Sequence, residues 1–138
     1  MDGAGVRAVD TNVLVRVLVD DPDERAEVAA ARAVLLSEKT VLVQEVVLAE
    51  LTWVMRTSYN FSRAEVARGL STVIGHPRYT LERPALAGAA LTMFEKSSVD
   101  FADCLILAGA GERNCELLTF DKRLAKLDGA ISVAAAME

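Results

Sequence analysis

Short, nearly all-apolar segments separated by stretches of helical periodicity constrain this chain more than any other feature of it. Val6–Asp10 (VRAVD) is compact and β-branched and turns at once into Thr-Asn, so it reads as a buried strand ending on Asp10 and feeding a helix over Val13–Val19. After the acidic break Asp20-Asp21-Pro22-Asp23, apolar Val28, Ala31, Val34 and Leu35 recur at helical spacing up to Ser37, which makes a helical pair. Val41–Val43 is a second strand, followed by a helix from Glu45 to Ser58. Tyr59-Asn60-Phe61 breaks that helix, and Ser62 with Glu65 forms the S-x-x-E pattern that starts another, running to Ile74 before Gly75. Tyr79–Leu81 reads as a short strand, Pro84 as the first position of a helix to Lys96, and Asp100–Asn114 as a further helix with Asn114 as a left-handed cap. Glu116–Thr119 and Ile131–Val133 complete the set of strands. Strands this apolar, alternating with helices, require a parallel sheet covered on both faces, an α/β fold.

One domain spanning 1–138 is expected, because chains of this length rarely divide and 52% hydrophobic residues suffice for one core. No apolar run approaches the roughly 20 residues that cross a membrane. The N-terminus lacks a cationic segment followed by an apolar stretch and a cleavage site, so a cytoplasmic location is expected. Cys104 and Cys115 lack metal-ligand spacing and read as buried free thiols. A net charge of −5 excludes a surface that coats nucleic acid by neutralising phosphates, so any such contact must be local.

Ligands of open parallel sheets gather at the carboxyl ends of the strands. Four acids fall there: Asp10 at the end of the first strand, Glu50 about a turn and a half into the helix after the second, Asp103 in the first turn of the helix from Asp100, and Asp121 just past Glu116–Thr119. Crowded carboxylates repel, and one protonates unless a cation lies among them. Oxygen-only donors without His or Cys favour a hard ion, Mg²⁺ or Mn²⁺. Such an ion activates water and offsets charge on a phosphoryl oxygen, which suits phosphodiester hydrolysis. His76, the only histidine, has no second partner for metal-free acid and base chemistry.

Each acid also has an ordinary structural reading. Asp10 suits a helix N-cap, Asp103 a helix N-terminus and Asp121 a turn. Glu50 is the exception, a charge in mid-helix among Leu48, Ala49, Leu51, Trp53 and Val54. Thr11, Asn12 and Thr119 flank the four, where they either orient a carboxylate or a water or serve as caps and turns. Asp100 reads as a cap, Asp20, Asp21, Asp23 and Glu24 as solvated acids, and Trp53 and Phe61 as core. Arg16, Arg56, Lys122 and Arg123 read as solvated surface rather than phosphate contacts.

VRAVDTNVLVRVL, VVLAELTWVMR and DFADCLILAGAGERNCELLTFDKRL, in that order and covering nearly the whole chain, resemble a PIN-domain protein of the VapC toxin type. The resemblance implies a PIN-like α/β/α fold with the family's metal ligands on Asp10, Glu50, Asp103 and Asp121, and polar accessory positions on Asn12 and Thr119. It further implies endonucleolytic cleavage of RNA, a homodimer, and inhibition by a VapB-type antitoxin whose C-terminal segment covers the acidic site. Two other classes remain open on the residues alone. A phosphoacceptor receiver is disfavoured because Thr119 and Lys122 share one loop. A non-catalytic binding module would use the same acids to receive a partner's guanidinium.

Overall fold

The computed structural model describes residues 5–138, which fall into two compact units, one running to Pro84 and the other from Ala85 to Glu138. The N-terminal tetrapeptide, on which the absence of a targeting segment was partly read, lies outside the described residues. No helix among the described residues is long and apolar enough to cross a membrane.

The first unit holds β1 (Arg7–Ala8), α1 (Thr11–Leu18), α2 (Arg25–Ser37), β2 (Val41–Val43), α3 (Glu45–Thr57), α4 (Arg63–Ile74) and β3 (Tyr79–Leu81). Its sheet is parallel in the order β1-β2-β3, with Val41 opposite both Arg7 and Tyr79 and Leu42 opposite both Ala8 and Thr80. The central strand carries the burial: Val41 and Val43 are closed off from solvent, whereas both residues of β1, at the edge of this ladder, are exposed. The expected buried strand over Val6–Asp10 is therefore shorter and more exposed than its β-branched composition implied, and Asp10 lies beyond it at the start of α1.

The core of this unit is built on α3, whose Val47, Leu48, Leu51 and Met55 recur at helical spacing and are buried with Leu14 and Val15 of α1 and Val66, Leu70 and Val73 of α4. Each such side chain contributes about 1.5–3 kcal/mol by leaving water. Local chemistry sets the boundaries. Ser62 Oγ accepts from the Glu65 N–H at 3.2 Å while Glu65 Oε1 accepts from the Ser62 N–H at 2.9 Å, the full reciprocal cap read from S-x-x-E. Arg83, just past β3, donates to both carboxylate oxygens of Glu45 at 2.6 and 2.8 Å, and Glu82 accepts from the Glu45 N–H, so the end of β3 fixes the start of α3. The two bonds from Arg83 hold the Glu45 carboxyl below its ordinary range.

A second polar strut joins α1 to the loop after α3. Arg16 donates to Glu27 at 2.7 Å and to the Tyr59 hydroxyl at 2.8 Å, and that hydroxyl donates to Asp21 at 2.8 Å. Asp21 also caps the 3-10 turn Pro22–Glu24. Neither expectation of solvated side chains holds here: Arg16 is 19% and Asp21 16% exposed, because Tyr59 brings the two together from a distant part of the chain.

The second unit holds α5 (Pro84–Lys96, of which Pro84 closes the first unit), α6 (Phe101–Glu112), β4 (Leu117–Thr119), β5 (Ala130–Ser132) and α7 (Val133–Ala136). Phe94 and Phe101 meet edge to face at 5.9 Å, with Leu86, Ala87, Ala90, Cys104 and Leu107 also buried. Asn114 takes φ 57 just after α6, as expected of a left-handed cap. β4 and β5 form a parallel pair of their own, Leu118 opposite Ile131. The closing strand is displaced by one residue from the expected Ile131–Val133, because Ser132 caps α7 through the Ala135 N–H at 3.1 Å and turns Val133 into helix. Cys115 is exposed, contrary to the expectation of two buried thiols, because it follows the cap at Asn114 rather than the buried face of α6.

The Tyr59 hydroxyl is the largest influence holding the Asp21 carboxyl below its ordinary 3.8, with the Asp23 N–H and Arg16 adding to it. A carboxylate lowered in the folded state contributes stability above its unfolded pKa and loses it as pH falls through the folded value. Tyr59→Phe is therefore expected to lower stability at neutral pH. Its urea midpoint should then fall less than the parent's between about pH 5 and about pH 3. Equal acid slopes in the two proteins would contradict this account.

Candidate metal and nucleic-acid site

Two sets of acids are defined, one within each unit. In the first, Asp10 takes extended backbone (φ −87°, ψ 178°) and caps α1, its Oδ1 accepting from the Val13 N–H at 3.0 Å. Thr11 is the first helical residue, and its hydroxyl donates to Glu50 Oε1 at 2.8 Å, across 39 residues of chain. Asp10, Thr11, Asn12, Glu50, Trp53 and Val54 line one open concavity of about 460 Å³. Glu50 is exposed because Leu48 and Leu51 on either side of it point α3 into the core.

In the second set, Asp103 is the third residue of α6, and Asp100 is the N-cap, with extended backbone and no capping bond from its side chain. Asp121 follows β4: its N–H donates to Thr119 Oγ1 at 2.9 Å, and its Oδ1 accepts from the N–H groups of Arg123 and Leu124 at 2.8 and 3.1 Å. The Asp103 carboxyl is pushed above its ordinary 3.8, first by burial and then by the negative charges of Asp100 and Asp121. The ordinary structural readings thus hold for two of these acids. Asp10 caps a helix and Asp121 closes a turn, yet each does so through one oxygen. Asp10 Oδ2, Glu50 Oε2 and Asp121 Oδ2 accept no hydrogen bond among the described residues.

The accessory residues divide in role. Thr11 orients Glu50, Asn12 lines the concavity, and Thr119 serves the turn at Asp121. Trp53, expected in the core, is 64% exposed. The signal that would have found it is its position three residues after Glu50, on the same face of α3. Arg16 is turned toward Glu27, Tyr59 and Asp21 and lines a separate concavity with Asp10 and Val34.

The donors fit a hard divalent cation in kind. They are all oxygen, and the crowding felt by Asp103 is the repulsion that a cation offsets. Among the described residues no group of three or more His, Cys, Asp or Glu is assembled that could hold a metal ion, so each unit by itself offers a partial set.

Parallel ladders and the helices that alternate with them describe an α/β protein that carries a set of acids in each unit. More particularly, the chain belongs to the PIN-domain family, whose model matches residues 7–130. It is similar to the VapC ribonuclease of Aquifex aeolicus (strain VF5), 25% identical over 125 residues, which span 88% of this chain and 92% of that protein.

Asparagine caps helices about as well as aspartate, whereas alanine does not. Asp10→Asn should therefore leave the urea midpoint nearly unchanged, while Asp10→Ala costs about 1 kcal/mol. Equal stability of the two variants would remove the capping role.

Proposed function

We propose that this protein is a Mg²⁺- or Mn²⁺-dependent endoribonuclease and the toxin of a toxin–antitoxin pair, with Asp10, Glu50, Asp103 and Asp121 as its metal ligands. The observation that carries the reading is the divided use of the carboxylates. One oxygen of Asp10, of Glu50 and of Asp121 is held by a donor of the scaffold and the other is left open. Acids that merely capped or turned the chain would have no reason to be matched by a mid-helix glutamate held at 2.8 Å by Thr11. The name of the A. aeolicus relative supports the same activity, and the family model, matching residues 7–130, runs past Pro84, which supports reading the chain as one domain.

In this reading a bound Mg²⁺ or Mn²⁺ supplies a more acidic water and offsets charge on the phosphoryl oxygen. The protein's own contribution is placement. The Val13 N–H fixes the Asp10 carboxylate, Thr11 fixes Glu50, and the N–H groups of Arg123 and Leu124 fix Asp121. Asp103, whose carboxyl is pushed above its ordinary range by burial and its acidic neighbours, would be relieved by a cation. Water attack on the RNA phosphodiester leaves a 5′-phosphate and a 3′-hydroxyl. A homodimer and a VapB-type antitoxin that covers the acids complete the proposal, with a cytoplasmic location.

The test is cleavage of end-labelled single-stranded RNA with Mg²⁺, with Mn²⁺ and with excess chelator. Activity should vanish in chelator. Asp10→Asn and Asp103→Asn should each lose more than about 100-fold, since even outer-shell partners of a metal are worth 10–100-fold, and Thr11→Val should lose about 10-fold. Full cleavage in chelator, or by either Asn variant, would exclude the reading.

A further inference from the structure

Trp53 has no part in the chemistry just described, yet it lies beside it. It lines the same concavity of about 460 Å³ as Asp10 and Glu50. It is 64% exposed on a helix whose Leu48, Leu51 and Met55 are closed off. A volume of this size falls within the roughly 300–1,000 Å³ of small-molecule sites, and its walls combine one flat aromatic face with carboxylates and the Asn12 amide.

Resting on the nuclease reading, we propose that Trp53 is the stacking platform for the nucleobase next to a phosphate that a divalent cation on Asp10 and Glu50 would hold. Three residues along a helix bring a side chain beside its neighbour on the same face, so the indole lies next to Glu50 on α3 and lines the same concavity. Stacking on an aromatic face is tolerant of sequence because every base has a π-face. Such binding also needs no cationic surface, in keeping with a net charge of −5. The exposed stripe on α3 continues from Trp53 to Val46, 62% exposed, a pattern that contact with a second copy of the chain would also use. The indole's place in the acid-lined concavity favours the base, since Val46 is not among its lining residues.

Trp53 is the only tryptophan, so intrinsic emission reports this position alone. The wild-type protein with Mn²⁺ is titrated with AMP and UMP, which hold no phosphodiester to cleave, and with ribose 5-phosphate, which lacks a base. Emission should be quenched saturably by both nucleotides and not by the sugar phosphate. In RNA cleavage, Trp53→Ala should raise KM by roughly 10- to 100-fold with a smaller change in kcat, and Trp53→Phe should recover most of it. Circular dichroism confirms that both variants fold. Emission that follows protein concentration and ignores nucleotide would assign the stripe to a second copy and overturn the platform. Unchanged KM in Trp53→Ala would overturn it while leaving the nuclease intact, whereas nucleotide quenching in a protein that cleaves no RNA would uphold the platform and defeat the nuclease.

Discussion

Negative charge held in place without being neutralised is the constraint on which the site depends. Carboxylates repel one another and are mobile, so left to themselves they turn outward into water. Here the backbone prevents that. The first turn of α1 offers N–H groups without helical partners, and Asp10 accepts one of them. The turn after β4 offers two more to Asp121. Glu50, in mid-helix, has no orphan donors within reach, and its restraint comes from the hydroxyl of Thr11 instead. Each device uses the carboxylate at one oxygen only, so the same bond that stabilises the fold presents the other oxygen for chemistry.

The placement of Glu50 in turn depends on how α3 is seated. Its buried face runs through Val47, Leu48, Leu51 and Met55, and rotation of the helix would expose these before it moved Glu50 far. Its start is clamped to the end of β3 by the two bonds from Arg83 to Glu45, one and a half turns before Glu50. β2, paired on both sides, sets the height from which α3 leaves the sheet. The site of the first unit is therefore rigid where the core is densest, and its exposed residues are the complement of that core.

Features governed by neighbours in sequence were legible in it. The Ser62 and Glu65 cap, the left-handed Asn114, the Pro84 start and the short strands all follow from a few adjacent residues. Features decided by distant partners were not. Nothing near Asp21 announces that Tyr59 and Arg16 will enclose it, and nothing in its hydrophobicity announces that Trp53 will remain outside. β1 misled for the same reason, because β-branched composition reports a preference for extended backbone and not which side of a ladder is covered. Asp10, Asp103 and Asp121 were readable as acids at helix starts and after a strand, and Glu50 as a mid-helix charge, but the hydrogen bonds of Asp10, Glu50 and Asp121, and the use of a single oxygen in each of these three, depend on atoms that no spacing rule locates.

The arginines of the first unit carry a consequence for how such a site would meet RNA. Arg16 is committed to Glu27, Tyr59 and Asp21, and Arg32 donates to the Val17 carbonyl at 3.1 Å. Arg78 donates to the carbonyls of Leu35 and Glu38, and Arg83 to Glu45. These cations act as struts between elements. Affinity for a polyanion normally rises with the number of phosphates neutralised, and so does its sensitivity to salt. Under the proposed reading, with these four guanidinium groups turned inward, attraction of RNA to this unit would rest on few and close contacts: a metal between carboxylates, an amide at Asn12, a base on an indole. Binding assembled that way weakens only shallowly as salt rises, and it favours single strands, whose bases are free to leave the stack.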